Sequence, residues 1–159
     1  MEQELKGILN ELKVIVFRLQ NEDYGVEVNQ VKSIERLEQI TRVPKTPKFV
    51  KGVINLRGVV TPIIDLRGRL ELEESPYTED TRIIIVAVED LEIGLIVDAA
   101  NDVIDVPSSL IEPPPKVVGG VKATYLRGVA KLENRLLILL NLNKVLNLEE
   151  IQQLEELEG

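Results

Sequence analysis

This chain contains no cysteine and no histidine, so thiolate nucleophiles, imidazole bases, disulfides and the common zinc ligands are all missing from its chemistry. What remains are carboxylates. Asp65 closes the apolar run VVTPIID, Asp98 closes LEIGLIVD, and Asp105 follows a few residues later. Two such groups held together with separated pKa values can run a hydrolysis, so Asp65 with Asp98 or Asp105 is the one catalytic pairing the chain offers. A simpler role for Asp65 is as a helix cap: it precedes Leu66-Arg67-Gly68-Arg69 and can accept a free backbone N–H. The acids Glu71, Glu73, Glu74, Glu79 and Asp80 lack the alternating spacing and central glycine of a calcium loop. No Walker pattern occurs, and Gly119-Gly120 is an isolated pair in a proline-rich loop. No cofactor and no metal are expected.

Binding chemistry is better represented than catalysis. In RVPKTPKFVKGVINLRGVVTPIIDLRGRL, residues 42–70, two β-branched pairs flank the polar insert Asn55-Leu56-Arg57-Gly58. That is the pattern of a hairpin with a charged tip, expected as a type I turn through Leu56-Arg57 closed by a left-handed Gly58. An arginine beside an apolar residue on a rigid turn has the composition of an interface hot spot, whereas the same arginine in an exposed ion pair contributes about 0–1 kcal/mol. A second candidate surface is Val28, Val31 and Ile34 with Val97 and Val103, either ordinary core or the lining of a groove for an amphipathic helix. Nucleic acid is not an expected partner: the formal charge is −8, no Lys/Arg cluster exceeds two residues, and Phe17, Phe49, Tyr24, Tyr77 and Tyr125 are scattered. An oligonucleotide-binding barrel fails on the same grounds.

The elements that must position these residues read mainly as β. The length of 159 residues allows one domain or two small subdomains. Aromatics make up 3% of the chain, so Val, Ile and Leu must build the core, and β-branched side chains favour sheets. Residues 1–12 carry Leu5, Ile8, Leu9 and Leu12 at helical spacing and are expected as a helix or tail. Two strands joined by a short loop follow from Lys13, residues 29–41 fit a helical turn or a curling strand, and Pro44 and Pro47 bracket an extended connector. A short helix is expected from Asp65, and the acidic segment to Asp80 reads as the boundary between halves. Residues 148–159 repeat Leu148, Ile151, Leu154 and Leu157 as a C-terminal helix. No secretory signal pattern and no apolar run of about 18 residues occurs, so a cytoplasmic protein without direct membrane insertion is expected.

The second half repeats the first. At an offset of 69, Val14-Ile15-Val16 fall on Ile83-Ile84-Ile85, Gly25 on Gly94, Val28 on Val97, Asn29 on Asp98 and Val31 on Ala100. At an offset of 76, Gly52 falls on Gly128, Val53 on Val129, Leu56 on Leu132, Asp65 on Asn141, Leu66 on Leu142 and Leu70 on Leu146. Gly58 falls on Asn134, and both residue types tolerate the left-handed region, so the same turn is expected in both copies. Arg57 falls on Glu133, which reverses the charge at the tip. Asn141 can cap a helix like Asp65 but cannot act as a base, which weighs against the hydrolase.

The run of residues 43–70, the stretch IGLIVDAANDV (93–103), the IEPPP loop and LRGVAKLENRLLILLNLNKVL (126–146) resemble the chemotaxis coupling proteins of the CheW family. The resemblance implies one CheW-like domain over 13–148, built from two five-stranded SH3-like β-barrels that share a core. The barrels would span roughly 13–70 and 82–146, with terminal strands free to exchange. It implies a non-enzymatic adaptor joining a chemotaxis histidine kinase, through its regulatory domain, to the cytoplasmic helical hairpin of chemoreceptors, and hence recruitment to membrane-bound arrays. Asn55, Leu56, Arg57 and Gly58 match the family block implicated in receptor coupling, and the valine set gains a reading as the receptor groove. Lys116, Val117 and Val118 are the candidate kinase contact. A kinase-regulatory scaffold of a related two-component pathway is the alternative.

Overall fold

The computed structural model describes residues 11–146. Thirteen strands are described: β1 (Glu11–Leu19), β2 (Glu22–Glu27), β3 (Val31–Arg36), β4 (Val50–Leu56), β5 (Val59–Asp65), β6 (Arg82–Val88), β7 (Leu91–Val97), β8 (Ala99–Pro107), β9 (Ile111–Glu112), β10 (Val117–Val118), β11 (Val121–Lys122), β12 (Leu126–Leu132) and β13 (Arg135–Leu140). The four-residue helices α1 (Leu66–Arg69) and α2 (Leu142–Val145) follow β5 and β13. Of the helix or tail expected over 1–12, Glu11 and Leu12 are strand, paired with Pro107 and Val106; residues 1–10 and the expected C-terminal helix over 148–159 lie outside the described residues. The ambiguous stretch after Val28 is a 3-10 turn followed by β3.

The strands form a six-stranded sheet, β8-β1-β2-β13-β12-β9, a five-stranded sheet, β3-β6-β7-β5-β4, and the separate pair β10-β11. Neither large sheet is made from one half of the chain. The hairpin β1-β2 runs parallel to β13, through Gly25↔Leu139, and the hairpin β4-β5 runs parallel to β7, through Ile63↔Gly94. The strands exchanged between the spans 13–70 and 82–146 are their N-terminal hairpins: β1-β2 lies in the sheet with β12 and β13, and β6-β7 in the sheet with β4 and β5. Alternation dictates which face a strand buries, but both sheets here bury both faces, so the pattern does not say which sheet a hairpin joins.

The register carries the repeat more fully than the residues do. The pair Ile63↔Gly94 becomes Leu139↔Gly25 when the offsets of 76 and 69 are applied, and the irregularity at Val50/Gly52 becomes the one at Leu126/Gly128. Gly25 and Gly94 are equivalent because neither position has room for a side chain: a Cβ at either would lie 2.4 Å from a side-chain carbon, of Val14 or of Ile63. Each sheet also closes in the same way. The chain leaving β3 crosses to β4 at Thr41↔Val53, and the chain leaving β8 crosses to β12 at Glu112↔Val129.

Three apolar clusters follow from the alternation. Val14, Val16, Val106, Ala130, Leu137 and Leu139 pack together on one sheet, and Ile54, Ile63, Ile83, Ile85 and Ile96 on the other. The intervening residues, among them Ile15, Phe17, Leu19, Ile64, Ile84, Val86, Ile138 and Leu140, form a larger cluster shared by both sheets. Runs such as VIVFRL are continuous because one side faces a private core and the other the shared one. The protein is therefore mainly β, with two SH3-like subdomains. Arg69 of α1 helps to join them: its guanidinium lies 5.0 Å from the Phe49 ring and 5.2 Å from the Tyr125 ring, and its Nε–H donates to the Val145 carbonyl of α2. Phe49 and Tyr125 are themselves separated by the repeat offset of 76.

Candidate functional site

The β4-β5 hairpin turns in two residues, since Leu56 pairs with Val59. Arg57 and Gly58 both have positive φ, 53° and 86°. This is the primed geometry that matches strand twist, in place of the expected type I turn with a left-handed third residue. The Gly58 N–H donates to Asn55 Oδ1 at 2.8 Å, so Asn55 locks the turn from the strand residue just before it. The expected matching turn does not form: Leu132 pairs with Arg135, but neither Glu133 nor Asn134 has positive φ. Asparagine tolerates the left-handed region without requiring it.

The Arg57 side chain is 77% exposed and meets Glu35 of β3 at 3.9 Å, a long contact in solvent that leaves most of its donors available. Leu56 is partly buried on the core beneath. Val59 and Val60, which leave the turn, are exposed, as is Ile34 beside Glu35. The tip is thus a rigidly presented guanidinium with three exposed aliphatic residues on the same two elements. Val59 and Val60 were not singled out from the sequence, where they read only as strand.

The predicted valine set divides. Val97 is fully buried in the shared core, which removes it as a surface residue; its strand is covered on both faces. Val28 and Val31 are half-buried against the same core. Ile34 and Val103 are exposed, but they belong to β3 and β8 and so to different sheets. Lys116, Val117 and Val118 lead into the β10-β11 pair, whose Gly119-Gly120 turn has φ of 60° and 83°, an ordered turn rather than a loose loop. Val117 is exposed, Val118 packs on the shared core, and the Lys116 carbonyl accepts from the Ala123 N–H.

Asp65 and Asp98 do come together, with a cation between them. Asp65 caps α1, accepting the Arg67 N–H at 3.0 Å. The Arg67 side chain is 1% exposed; its Nε and Nη2 lie 3.4 and 3.3 Å from the Asp65 oxygens, and its Nε 3.5 Å from Asp98 Oδ1. Nη1 donates to Ser75 Oγ, the guanidinium lies 5.4 Å from the Tyr77 ring, and the Tyr77 hydroxyl donates to Asp65 Oδ2 at 2.9 Å. The Gln20 N–H donates to Asp98 Oδ2. Burial alone would pull the Arg67 guanidinium down, but Asp65, then Asp98 and Tyr77, outweigh it and hold its pKa above the ordinary value. Burial first, then the charge and hydrogen bond of Asp65, push the Tyr77 phenol up. Carboxylates bound to a permanent cation do not form an acid/base pair; Asp105 lies on β8, opposite Lys13.

Residues 13–150 match the family model of the CheW-like domain. The chain is 50% identical over 140 residues to the chemotaxis protein CheW of Bacillus subtilis, covering 88% of this chain and 90% of that one. It is 36% identical to the CheW of Klebsiella aerogenes, covering 86% and 82%. The scaffolding protein TtCheW from Thermoanaerobacter tengcongensis, a crystal structure, superposes with a TM-score of 0.81 at 36% identity, covering 88% and 95%. This chain belongs to the CheW family.

CheW proteins are scaffolding or adaptor proteins of chemotaxis and not enzymes. No helix among the described residues is long and apolar enough to cross a membrane, and no group of potential metal ligands occurs there. What sequence reasoning missed is Arg67, whose neighbours Leu66 and Gly68 gave no sign of burial. One signal was available: in the repeat, Asp65 and Asp98 both fall on asparagines, Asn141 and Asn29, so the two acids are lost as a pair.

Proposed function

We propose that this CheW-family chain couples the cytoplasmic helical hairpin of chemoreceptors to the regulatory domain of a chemotaxis histidine kinase, and is thereby recruited to membrane-bound receptor arrays. The observation that carries the receptor side is the Asn55-Leu56-Arg57-Gly58 turn. Its backbone is fixed by Asn55, its arginine projects into solvent, and Ile34, Val59 and Val60 supply exposed apolar surface on the adjoining strands. A pre-formed turn loses little entropy on binding, and an arginine set among aliphatic side chains suits a helical partner with both polar and apolar faces. Lys116 and the strand β10 that follows it, with Val117 exposed on an ordered hairpin, are the proposed kinase contact.

The test is a binding titration of the full chain with a receptor cytoplasmic fragment and a kinase regulatory domain, separately and together. Arg57→Ala should weaken receptor binding by about tenfold or more, as expected of a hot spot worth over 1 kcal/mol. Its unfolding midpoint should stay near that of the parent, since the side chain is exposed. Unchanged receptor affinity would remove Arg57 from the contact, and binding to neither fragment would overturn the coupling role.

A further inference from the structure

The connector from the end of β3 to the start of β4 opposes the charge of the molecule that carries it. Residues 36–51 hold five cations, Arg36, Arg42, Lys45, Lys48 and Lys51, against one acid, Glu38, in a chain of net charge −8. Lys51 pairs with Glu74 at 3.0 Å. Arg36, Arg42, Lys45 and Lys48 are exposed and form no ion pair among the described residues. Arg36 adjoins Glu35, the Arg57 partner, while Arg42, Lys45 and Lys48 follow one another within seven residues as a local positive surface.

The surface is also built rather than loose. Thr41 and Val53 exchange backbone hydrogen bonds at 2.9 and 2.8 Å, the Val50 N–H donates to the Pro47 carbonyl, and Thr46 Oγ1 donates to the Val43 carbonyl. Lys45 follows Pro44 and holds a φ of 63°, where a lysine costs about 1–2 kcal/mol more than a glycine. Beside Lys48 lies a shallow depression lined by Phe49, Gly68, Leu72 and Glu74, the last neutralised by its pair with Lys51. The antiparallel register of Thr41 with Val53 sends this connector toward the beginning of β4, the end opposite the Arg57 turn.

We propose that this connector is a docking surface, separate from the Arg57 turn, for an acidic amphipathic protein segment whose carboxylates meet Arg42, Lys45 and Lys48 and whose apolar residue enters the Phe49–Leu72 depression. A phosphate surface is the weaker fit, because DNA or an anionic bilayer would face the whole molecule's negative field, whereas a short segment faces only the connector.

The probe is a 16-residue synthetic peptide of glutamate and leucine with leucine every three or four residues, titrated into the full chain. Saturable binding is expected, weakened at least tenfold by combined Arg42→Glu, Lys45→Glu and Lys48→Glu. It should also weaken as salt rises from about 0.1 to 1 M, where the screening length falls from about 10 to 3 Å. If the charge-reversed protein does not fold, the three glutamine replacements serve instead, with a smaller loss. No binding, or equal affinity for parent and variants, overturns the proposal, and so does tighter binding to duplex DNA or to phosphatidylserine vesicles than to the peptide. Receptor binding through Arg57 should survive these changes, so the two surfaces can fail independently.

Discussion

β5 ends at Asp65 and β13 ends just before Asn141, and each of these two residues caps a four-residue helix at the same place in the repeat. Beyond the cap the two corners part. At the first, Asp65, Arg67 and Asp98 make a charged cluster, with Asp65 and Arg67 each 1% exposed, closed over by Ser75 and Tyr77 from the acidic linker. At the second, the counterparts are Asn141, Asn143 and Asn29; Asn143 and Asn29 are exposed, and no ion pair involves them. One backbone plan thus carries a buried ionic cluster at one corner and, at the other, neutral counterparts beside the partly exposed Arg127–Glu27 pair. The capping bond alone suffices to stop the strand and start the helix. The ionic additions do something else: they hold the segment from Leu72 to Thr81, which contains no strand or helix, against the ends of β5 and β7.

The comparison breaks first at Arg67. Removing the cation leaves Asp65 buried without its partner, and such losses cost about 3–5 kcal/mol. Arg67→Ala should therefore lower unfolding stability by that order in urea denaturation, whereas Asn143→Ala should stay within about 0.5 kcal/mol. Equal effects at the two positions would show that the ionic corner adds nothing to the shared plan. Next comes the exchange of caps. Asp65→Asn keeps an acceptor for the Arg67 N–H but strands the guanidinium, for a loss of roughly 3 kcal/mol; Asn141→Asp should shift stability by about 0.5 kcal/mol or less. Binding to receptor and kinase fragments by folded Asp65→Asn should match the parent, since an adaptor does not use that carboxylate chemically.

How far this was legible follows from what each signal encodes. Alternation and glycine positions mark faces and close approaches, so the strand list and the pairing of Gly25 with Gly94 could be read from the sequence. Which strands exchange could not be read from the residues, because a strand buried on both faces looks the same in either sheet. Val97 was misplaced for that reason: a valine on a doubly covered strand has the same sequence pattern as one lining a groove. Asp65 was legible as a cap through its neighbours, but the Arg67 cluster joins residues from four separate stretches. Only the paired loss of Asp65 and Asp98 in the repeat pointed to it.

The two hairpin tips give a smaller version of the same contrast. Gly58 sits at φ 86° with open space where a Cβ would go, so Gly58→Ala strains only the backbone and should cost about 1–2 kcal/mol. Asn134, at the equivalent position without positive φ, should accept alanine within about 0.5 kcal/mol by the same denaturation measurement. Because the Asn55 lock depends on the Gly58 N–H, which alanine retains, receptor affinity should fall less in Gly58→Ala than in Arg57→Ala. A larger fall would make turn shape, rather than the guanidinium, the determinant of coupling.

The smallest expected effect isolates the lid of the ionic corner. Tyr77 donates to Asp65 and is raised above the ordinary phenol value by burial and by that carboxylate, so its protonated form is favoured in the folded chain. A pKa raised by folding contributes stability that is fully present below the unfolded value, about 10, and is lost as pH rises through the folded value. Tyr24, pushed up to about 12 by burial and then by Glu22, contributes a slope of the same sign. Tyr77→Phe should cost about 1 kcal/mol at neutral pH for the lost hydrogen bond. Above about pH 10 the gap to the parent should narrow, with Tyr24 supplying the slope that persists in both proteins. A gap that stays constant with alkalinity would mean that the phenol titrates as it does in the unfolded chain and that the linker is held by Ser75 and Arg67 alone.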